Sequence, residues 1–226
     1  MTLYVVATPI GNLDDISPRA IEVMRAVDCI VCEDSRVSSK LLNKFGINKP
    51  LFPYRDDNET QASEKVLNFL REGKDVCLVS DAGTPCISDP GFRLVRACRK
   101  QGLKVESIPG PCAAIAALSI SGLPTDGFLF VGFLPSKKSA RINFFKKYVD
   151  FAYTLVFYES CHRIDKFLAD AHEIFGSERT VCVAKELTKL HEMFLVDKLS
   201  AVCEKMATAS TKGEFVVIVA PSRFAM

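Results

Sequence analysis

The feature that most constrains this chain is a repeated alternation. Short apolar runs rich in valine and isoleucine are each followed by a longer segment of helical periodicity. The runs predict strands over 3–7, 29–32, 76–80, 104–108, 128–132, 154–158, 180–184, 193–197 and 214–220. The intervening patterns predict helices over 18–27, 38–45, 61–72, 91–101, 113–121, 140–148, 163–175 and 201–207. A chain built this way folds as an α/β protein with a largely parallel sheet, because each helix carries the chain back over the sheet to start the next strand. The later segments change character: predicted strands near Met193 and Glu214 flank one helix, and the region before Ser136 is rich in glycine and proline, which predicts a second, mixed sheet. The Pro109-Gly110-Pro111 turn marks the expected boundary, with an N-terminal α/β domain over 1–110 and a C-terminal one over 111–226.

Composition narrows the function classes. The formal net charge is only +2, so any nucleic-acid footprint has to be a local patch. The nine cysteines are odd in number, scattered and mostly flanked by Val, Leu, Ile or Ala, which fits reduced thiols packed as small hydrophobes. Cys29 and Cys32 form a lone C-x-x-C inside a predicted strand, where residues three apart point to opposite faces and share no metal. His162, His172 and His191 show no ligand spacing, so no metal is expected. The first nine residues lack a basic leader, and no apolar run nears the roughly 20 residues of a membrane helix. The expectation is a cytoplasmic protein with no membrane partner.

The chemistry concentrates where strands end. Ser80-Asp81-Ala82-Gly83-Thr84-Pro85-Cys86-Ile87-Ser88-Asp89-Pro90-Gly91 follows one predicted strand and opens a helix. Ligands of α/β proteins bind at such carboxyl ends. A capped turn explains part of this segment, but two acids, two prolines and two glycines in twelve residues exceed what a plain turn needs. Thr8-Pro9-Ile10-Gly11-Asn12-Leu13, Cys32-Glu33-Asp34-Ser35-Arg36 and Ile108-Pro109-Gly110-Pro111-Cys112-Ala113 sit in equivalent places. Each has a bland reading, as a solvated or rigid turn, and together they favour a cleft. Phe157-Tyr158-Glu159-Ser160-Cys161-His162-Arg163, Ala184-Lys185-Glu186 and Lys212-Gly213-Glu214 place charge just beside apolar strands; Glu159 and Arg163, four apart, also fit a plain helical salt bridge. The P-loop, the G-x-G-x-x-G fingerprint and H-E-x-x-H are absent from the sequence.

These segments, with Gly132-Phe133-Leu134-Pro135, resemble in order the tetrapyrrole methylase family, also called class III methyltransferases, over nearly the whole chain. The Thr-Pro-Ile-Gly-Asn-Leu and Glu-Asp-Ser-Arg elements point to the branch that methylates the ribose 2′-hydroxyl of a cytidine in 16S rRNA. Departures are Cys86 and Cys161, at positions where other small residues or proline are usual, and Cys112, where Ser or Thr is usual; relatives often carry an additional small region beyond 214–220. The resemblance implies two α/β domains with S-adenosylmethionine folded in a cleft between them, and a homodimer acting on 16S rRNA or the small ribosomal subunit. It assigns the cofactor to Pro9, Asp81, Ala82, Gly83, Thr84, Ile87, Cys112, Ala113, Phe133, Leu134, Ala184 and Lys185. Asp81 and Asp89 are expected to organise their loop rather than clamp the sulfonium. Glu33, Asp34 and Lys185 are candidates for a base or hydrogen-bonding group, with Arg36 on a phosphate. Lys137, Lys138 and Arg141, with Lys146 and Lys147, are the expected RNA contacts; a solvated helix face is the plainer alternative. Two other functions stay open on sequence: methylation of a tetrapyrrole or other small acceptor, and a non-catalytic cofactor-binding protein associated with the ribosome.

Overall fold

The structure, a computed structural model, describes residues 1–224. The chain separates into two compact units, Met1–Cys112 and Ala113–Met226.

The first unit contains strands β1 (Thr2–Val6), β2 (Cys29–Cys32), β3 (Leu51–Pro53), β4 (Val76–Leu78) and β5 (Lys104–Ile108). They alternate with helices α1 (Pro18–Ala26), α2 (Ser35–Lys44), α3 (Glu59–Arg71) and α4 (Phe92–Lys100). The sheet runs β3-β2-β4-β1-β5, and every pairing in it is parallel. Interior parallel strands are covered on both faces and so are apolar throughout, as Cys29-Ile30-Val31-Cys32 is. Alternation sends Val6, Ile30, Cys32 and Cys77 into one core against Ala20 and Met24 of α1 and Leu41 and Leu42 of α2. Leu3, Cys29, Val31 and Val76 face the other way, against Val66, Leu67 and Leu70 of α3 and Leu94 and Cys98 of α4. Cys29 and Cys32 therefore belong to opposite cores.

This arrangement creates a switch point. β1 and β4 are neighbours, yet the helix leaving β1 covers one face and the helix leaving β4 covers the other. Diverging crossovers leave a crevice at the carboxyl ends of the two strands. Local signals set the helix starts around it. Ser17 accepts the Ala20 N–H at 3.1 Å and Pro18 occupies the first turn of α1. Asp34 accepts the Arg36 N–H at 2.8 Å, so α2 starts at Ser35, three residues before the expected position.

The second unit contains α5 (Ala113–Ile120), β6 (Phe128–Phe133), α6 (Lys138–Lys147), β7 (Thr154–Ser160), α7 (Ile164–Phe175), β8 (Thr180–Lys185), β9 (Met193–Lys198), α8 (Leu199–Thr208) and β10 (Glu214–Val219). Its sheet, β6-β7-β10-β8-β9, is mixed: β6 and β7 are parallel and the other pairings antiparallel. One face packs Phe157, Val183 and Val217 against Phe145 of α6, Phe167 of α7 and Val202 of α8. Phe145 and Phe157 both meet the Phe167 ring, at 5.2 and 5.3 Å between centroids. The short apolar helix α5 contacts β7 and β10. Among the described residues, no helix is long and apolar enough to cross a membrane.

Candidate functional site

In the first unit the loops after β1 and β4 are stitched together across the switch point. Thr8 N–H donates to the Gly83 carbonyl at 2.8 Å, and Gly83 N–H returns a bond to the Thr8 carbonyl at 3.1 Å. The buried Thr8 hydroxyl donates to the Ser80 carbonyl at 3.2 Å, and the Ser80 hydroxyl reaches the Gly83 carbonyl at 3.2 Å. Thr84 Oγ1 donates to the Pro111 carbonyl at 2.9 Å, which ties in the loop after β5. Gly83 has φ +80, and a Cβ there would stand 3.4 Å from Ile10 Cγ2. A Cβ on Gly110 would stand 3.0 Å from the Ala7 Cβ. The backbones of three loops therefore approach closely, with their peptide groups at a strand-end crevice. Cys86 and Ser88 hold positive φ values of 70 and 66, so the loop after β4 keeps a shape that L-residues rarely adopt. Pro9 and Gly83 are buried, Asp81 and Thr84 half-buried, and Ala82 and Ile87 exposed.

The acids at the end of β2 join this edge. Asp81 accepts the Asp34 N–H at 3.0 Å, tying the loop after β4 to the start of α2. Burial, with the nearby Asp34 charge, raises the Asp81 pKa against the lowering effect of that hydrogen bond. Asp34 is held by Arg36, whose Nε lies 3.0 Å from Oδ1, and its pKa falls to about 2. A carboxylate held so low is a weak base near neutral pH. Glu33 behaves in the opposite way. Burial, then the charges of Asp81, Asp56 and Asp34, push its pKa up. The three acidic positions named from sequence are thus brought together and differentiated: Glu33 and Asp81 are raised, while Asp34 is held low.

In the second unit the sequence spacing misled in one respect. Glu159 and Arg163 are not two positions of one helix. Glu159 lies buried in β7, and Arg163 is the residue before α7. Arg163 Nε contacts Glu159 Oε1 at 2.8 Å, Arg163 Nη1 donates to the Leu134 carbonyl at 2.9 Å, and the guanidinium lies 5.8 Å from the Phe133 ring centroid. The pair therefore holds the Phe133-Leu134 turn at the end of β6, with Leu134 buried and Phe133 51% exposed. Tyr158 packs edge-on to Phe133 and accepts the Ala114 N–H at 3.1 Å, which fixes the first turn of α5 beside Ala113. Sequence reasoning named Phe133, Leu134 and Ala113 as cofactor contacts and singled out the segment holding Tyr158, Glu159 and Arg163, but missed that these residues hold them. The available signal was a polar cluster at a strand end.

Lys185, at the end of β8, is buried and donates from Nζ to the Ser210 carbonyl at 2.7 Å. Ala184 beside it is also buried. Glu186 accepts the Glu214 N–H at 3.0 Å, and a Cβ on Gly213 would stand 2.5 Å from Glu186 Cγ. The Lys-Glu and Lys-Gly-Glu motifs are thus two halves of one tie between neighbouring loops.

The basic group named for RNA divides. Lys137 and Lys138 are exposed at the start of α6. Arg141 is not available to RNA: its side chain is buried, and its Nε donates to Asp170 at 2.6 Å. A buried guanidinium needs a carboxylate partner, and α7 supplies it. Lys138 is partly engaged as well, with Nζ 3.4 Å from both Asp170 and Glu173.

Comparison with known proteins identifies the family. The family model described as Tetrapyrrole (Corrin/Porphyrin) Methylases matches residues 2–203. A ribosomal RNA small subunit methyltransferase I from Pasteurella multocida (strain Pm70) is 47% identical over 219 residues, 96% of this chain and 78% of the relative. Its counterpart from Xylella fastidiosa (strain Temecula1 / ATCC 700964) is 49% identical over 220 residues, covering 96% of this chain and 81% of the relative. Among solved structures, diphthine synthase superposes with a TM-score of 0.75 at 15% identity, covering 97% of this chain and 89% of that one. That likeness speaks for the fold alone. With its parallel and mixed sheets and a family match spanning most of its length, the chain belongs to the tetrapyrrole methylase family.

Proposed function

We propose that this enzyme transfers the methyl group of S-adenosylmethionine to the ribose 2′-oxygen of a cytidine in 16S rRNA of the small ribosomal subunit. The observation that carries the reading is the 47–49% identity, over 96% of the chain, to relatives named ribosomal RNA small subunit methyltransferase I. The reading includes a cytoplasmic homodimer, the state implied by the family resemblance.

The residues present suit the cofactor. A strand-end crevice walled by backbone, with Gly83 and Gly110 allowing close approach, matches a ligand recognised largely through peptide groups. Pro9, Asp81, Ala82, Gly83, Thr84, Ile87 and Cys112 would hold it from the first unit. Ala113, Phe133, Leu134, Ala184 and Lys185 are the candidates from the second. When bound, the cofactor supplies an electrophilic methyl on a sulfonium whose charge disappears on transfer. A carboxylate clamped on that charge would favour the ground state over the transition state. Asp81 is committed to the Asp34 N–H and so serves the loop's shape.

The acceptor hydroxyl has to lose its proton. Glu33 is the base this reading selects, because its raised pKa makes it a better proton acceptor than Asp34. Asp34 and Arg36 form a pair that fixes the start of α2, and Arg36, exposed, can turn toward a phosphate. Lys185 is a positioning group in this scheme, since its ammonium is held by Ser210. Lys137 and Lys138 offer phosphate contacts.

The test combines purified protein, labelled S-adenosylmethionine and small subunits from a strain lacking the modification, with the labelled nucleotide mapped. Label at a cytidine 2′-oxygen is the expected result. Label on a tetrapyrrole or other small acceptor and none on RNA overturns the reading, as does tight cofactor binding without any transfer.

A further inference from the structure

At the outer edge of the first unit's sheet, β3 and α3 flank an open cavity of about 210 Å³. It is lined by Phe52, Pro53, Asn58, Gln61, Lys65 and Phe69, among others. The two rings stand 5.1 Å apart, tilted by 51°. Lys65 Nζ lies 4.1 Å from the Phe52 centroid and 5.8 Å from that of Phe69. None of these side chains belongs to the crevice described above. Yet the cavity lies close to it in the sheet, because Pro53 pairs with Cys32, the residue before Glu33.

Resting on the RNA reading above, we infer that this cavity is a subsite for an unpaired nucleobase flanking the acceptor nucleotide. Three features favour that occupant. Half-buried aromatic faces stack on any base, which suits a single strand. The Lys65 ammonium sits over a ring on a flexible four-carbon stem, so it can yield the ring face to a base and follow the phosphate that the base brings. The exposed Gln61 amide stands at the rim, able to meet the edge of a base, which an aliphatic ligand would leave unpaired. Adjacent strands lie about 4.8 Å apart, so a base held beside β3 belongs to a nucleotide next to one whose ribose is at Glu33, at the end of β2.

The test uses the full chain and a single-stranded 16S rRNA fragment spanning the methylated cytidine. Phe52→Leu removes the stacking face and keeps an apolar side chain. Lys65→Gln removes the charge at an exposed position and leaves the fold intact. Each is expected to weaken RNA binding by about tenfold, raising KM for RNA with kcat and S-adenosylmethionine affinity unchanged. Lys65→Gln is also expected to lower the slope of log affinity against log salt by about 0.7, the value for one phosphate contact on a single strand. If both variants bind the fragment within twofold of the unsubstituted protein, which itself methylates it, the subsite is wrong and the proposed function stands. If the unsubstituted protein neither binds the fragment nor methylates small subunits, both fall.

Discussion

Glu33 shows what a single position contributes. Its raised pKa comes from burial and from three other carboxylates, and one of these, Asp81, is distant in sequence and brought close by the parallel pairing of β2 with β4. From sequence, Glu33 was one of several polar residues at a strand end, and nothing local separated it from Asp34. The two differ because Arg36 neutralises Asp34 and leaves Glu33 alone. The sign of the linkage follows. Folding favours protonated Glu33, so its contribution to stability is full below the ordinary glutamate value and is lost as pH rises through its native value. Catalysis needs the ionised form, so kcat is expected to rise with pH through that same raised value. Glu33→Gln should therefore lower kcat by about 10²-fold or more, while thermal denaturation at neutral pH shows a fold at least as stable as before. A variant with normal turnover removes Glu33 from the chemistry. Loss of stability together with turnover marks a structural role instead.

Secondary-structure elements were far more legible than their connections. Nine of the ten strands among the described residues are visible as apolar runs, because strands buried on one or both faces have little freedom in composition. β3 escaped notice for a physical reason. It is three residues long, it ends in Pro53, and it pairs with β2 alone at the sheet edge, where proline is tolerated. What sequence did not reveal is how strand-end residues hold one another. Glu159 and Arg163 were visible as a spacing, but the other partner of Arg163, the Leu134 carbonyl, lies 29 positions from it. Removing the arginine leaves a buried carboxylate uncompensated, a defect that costs about 3 kcal/mol or more. Arg163→Ala is expected to show a loss of that order in urea unfolding and a higher KM for S-adenosylmethionine through the freed Phe133-Leu134 turn. Adding Glu159→Gln should recover part of the stability and none of the KM. Independent, additive losses in the double variant would show that the pair is not coupled. Gly83→Ala probes the other set of loops. At φ +80 a Cβ costs about 1–2 kcal/mol, and weaker cofactor binding should accompany it in calorimetry.

At the scale of the whole molecule, the near-neutral net charge means that RNA has to be met by local groups, and the structure decides which basic residues remain available. Lys137, Lys138 and Arg141 form one basic run in sequence, and helical periodicity alone does not say which of them faces the core. The fold does: α6 packs on α7 through Phe145, which meets Phe167 and Phe175, and Arg141 also turns inward to meet Asp170. A sequence reader sees three equivalent charges, whereas the folded protein has one exposed lysine, one shared with two acids, and one structural ion pair. These three should separate in experiment. Lys137→Gln is expected to leave thermal stability and cofactor affinity unchanged and to lower the salt dependence of subunit binding by about one phosphate contact. Lys138→Gln should do the same more weakly, because Asp170 and Glu173 already claim part of its charge. Arg141→Met leaves Asp170 buried without its main partner, so it should destabilise the protein by about 3 kcal/mol while the salt slope of whatever remains folded is unchanged. If Arg141→Met instead flattens the salt dependence with no loss of stability, the buried pair opens when RNA binds. The basic run read from sequence would then act as one surface.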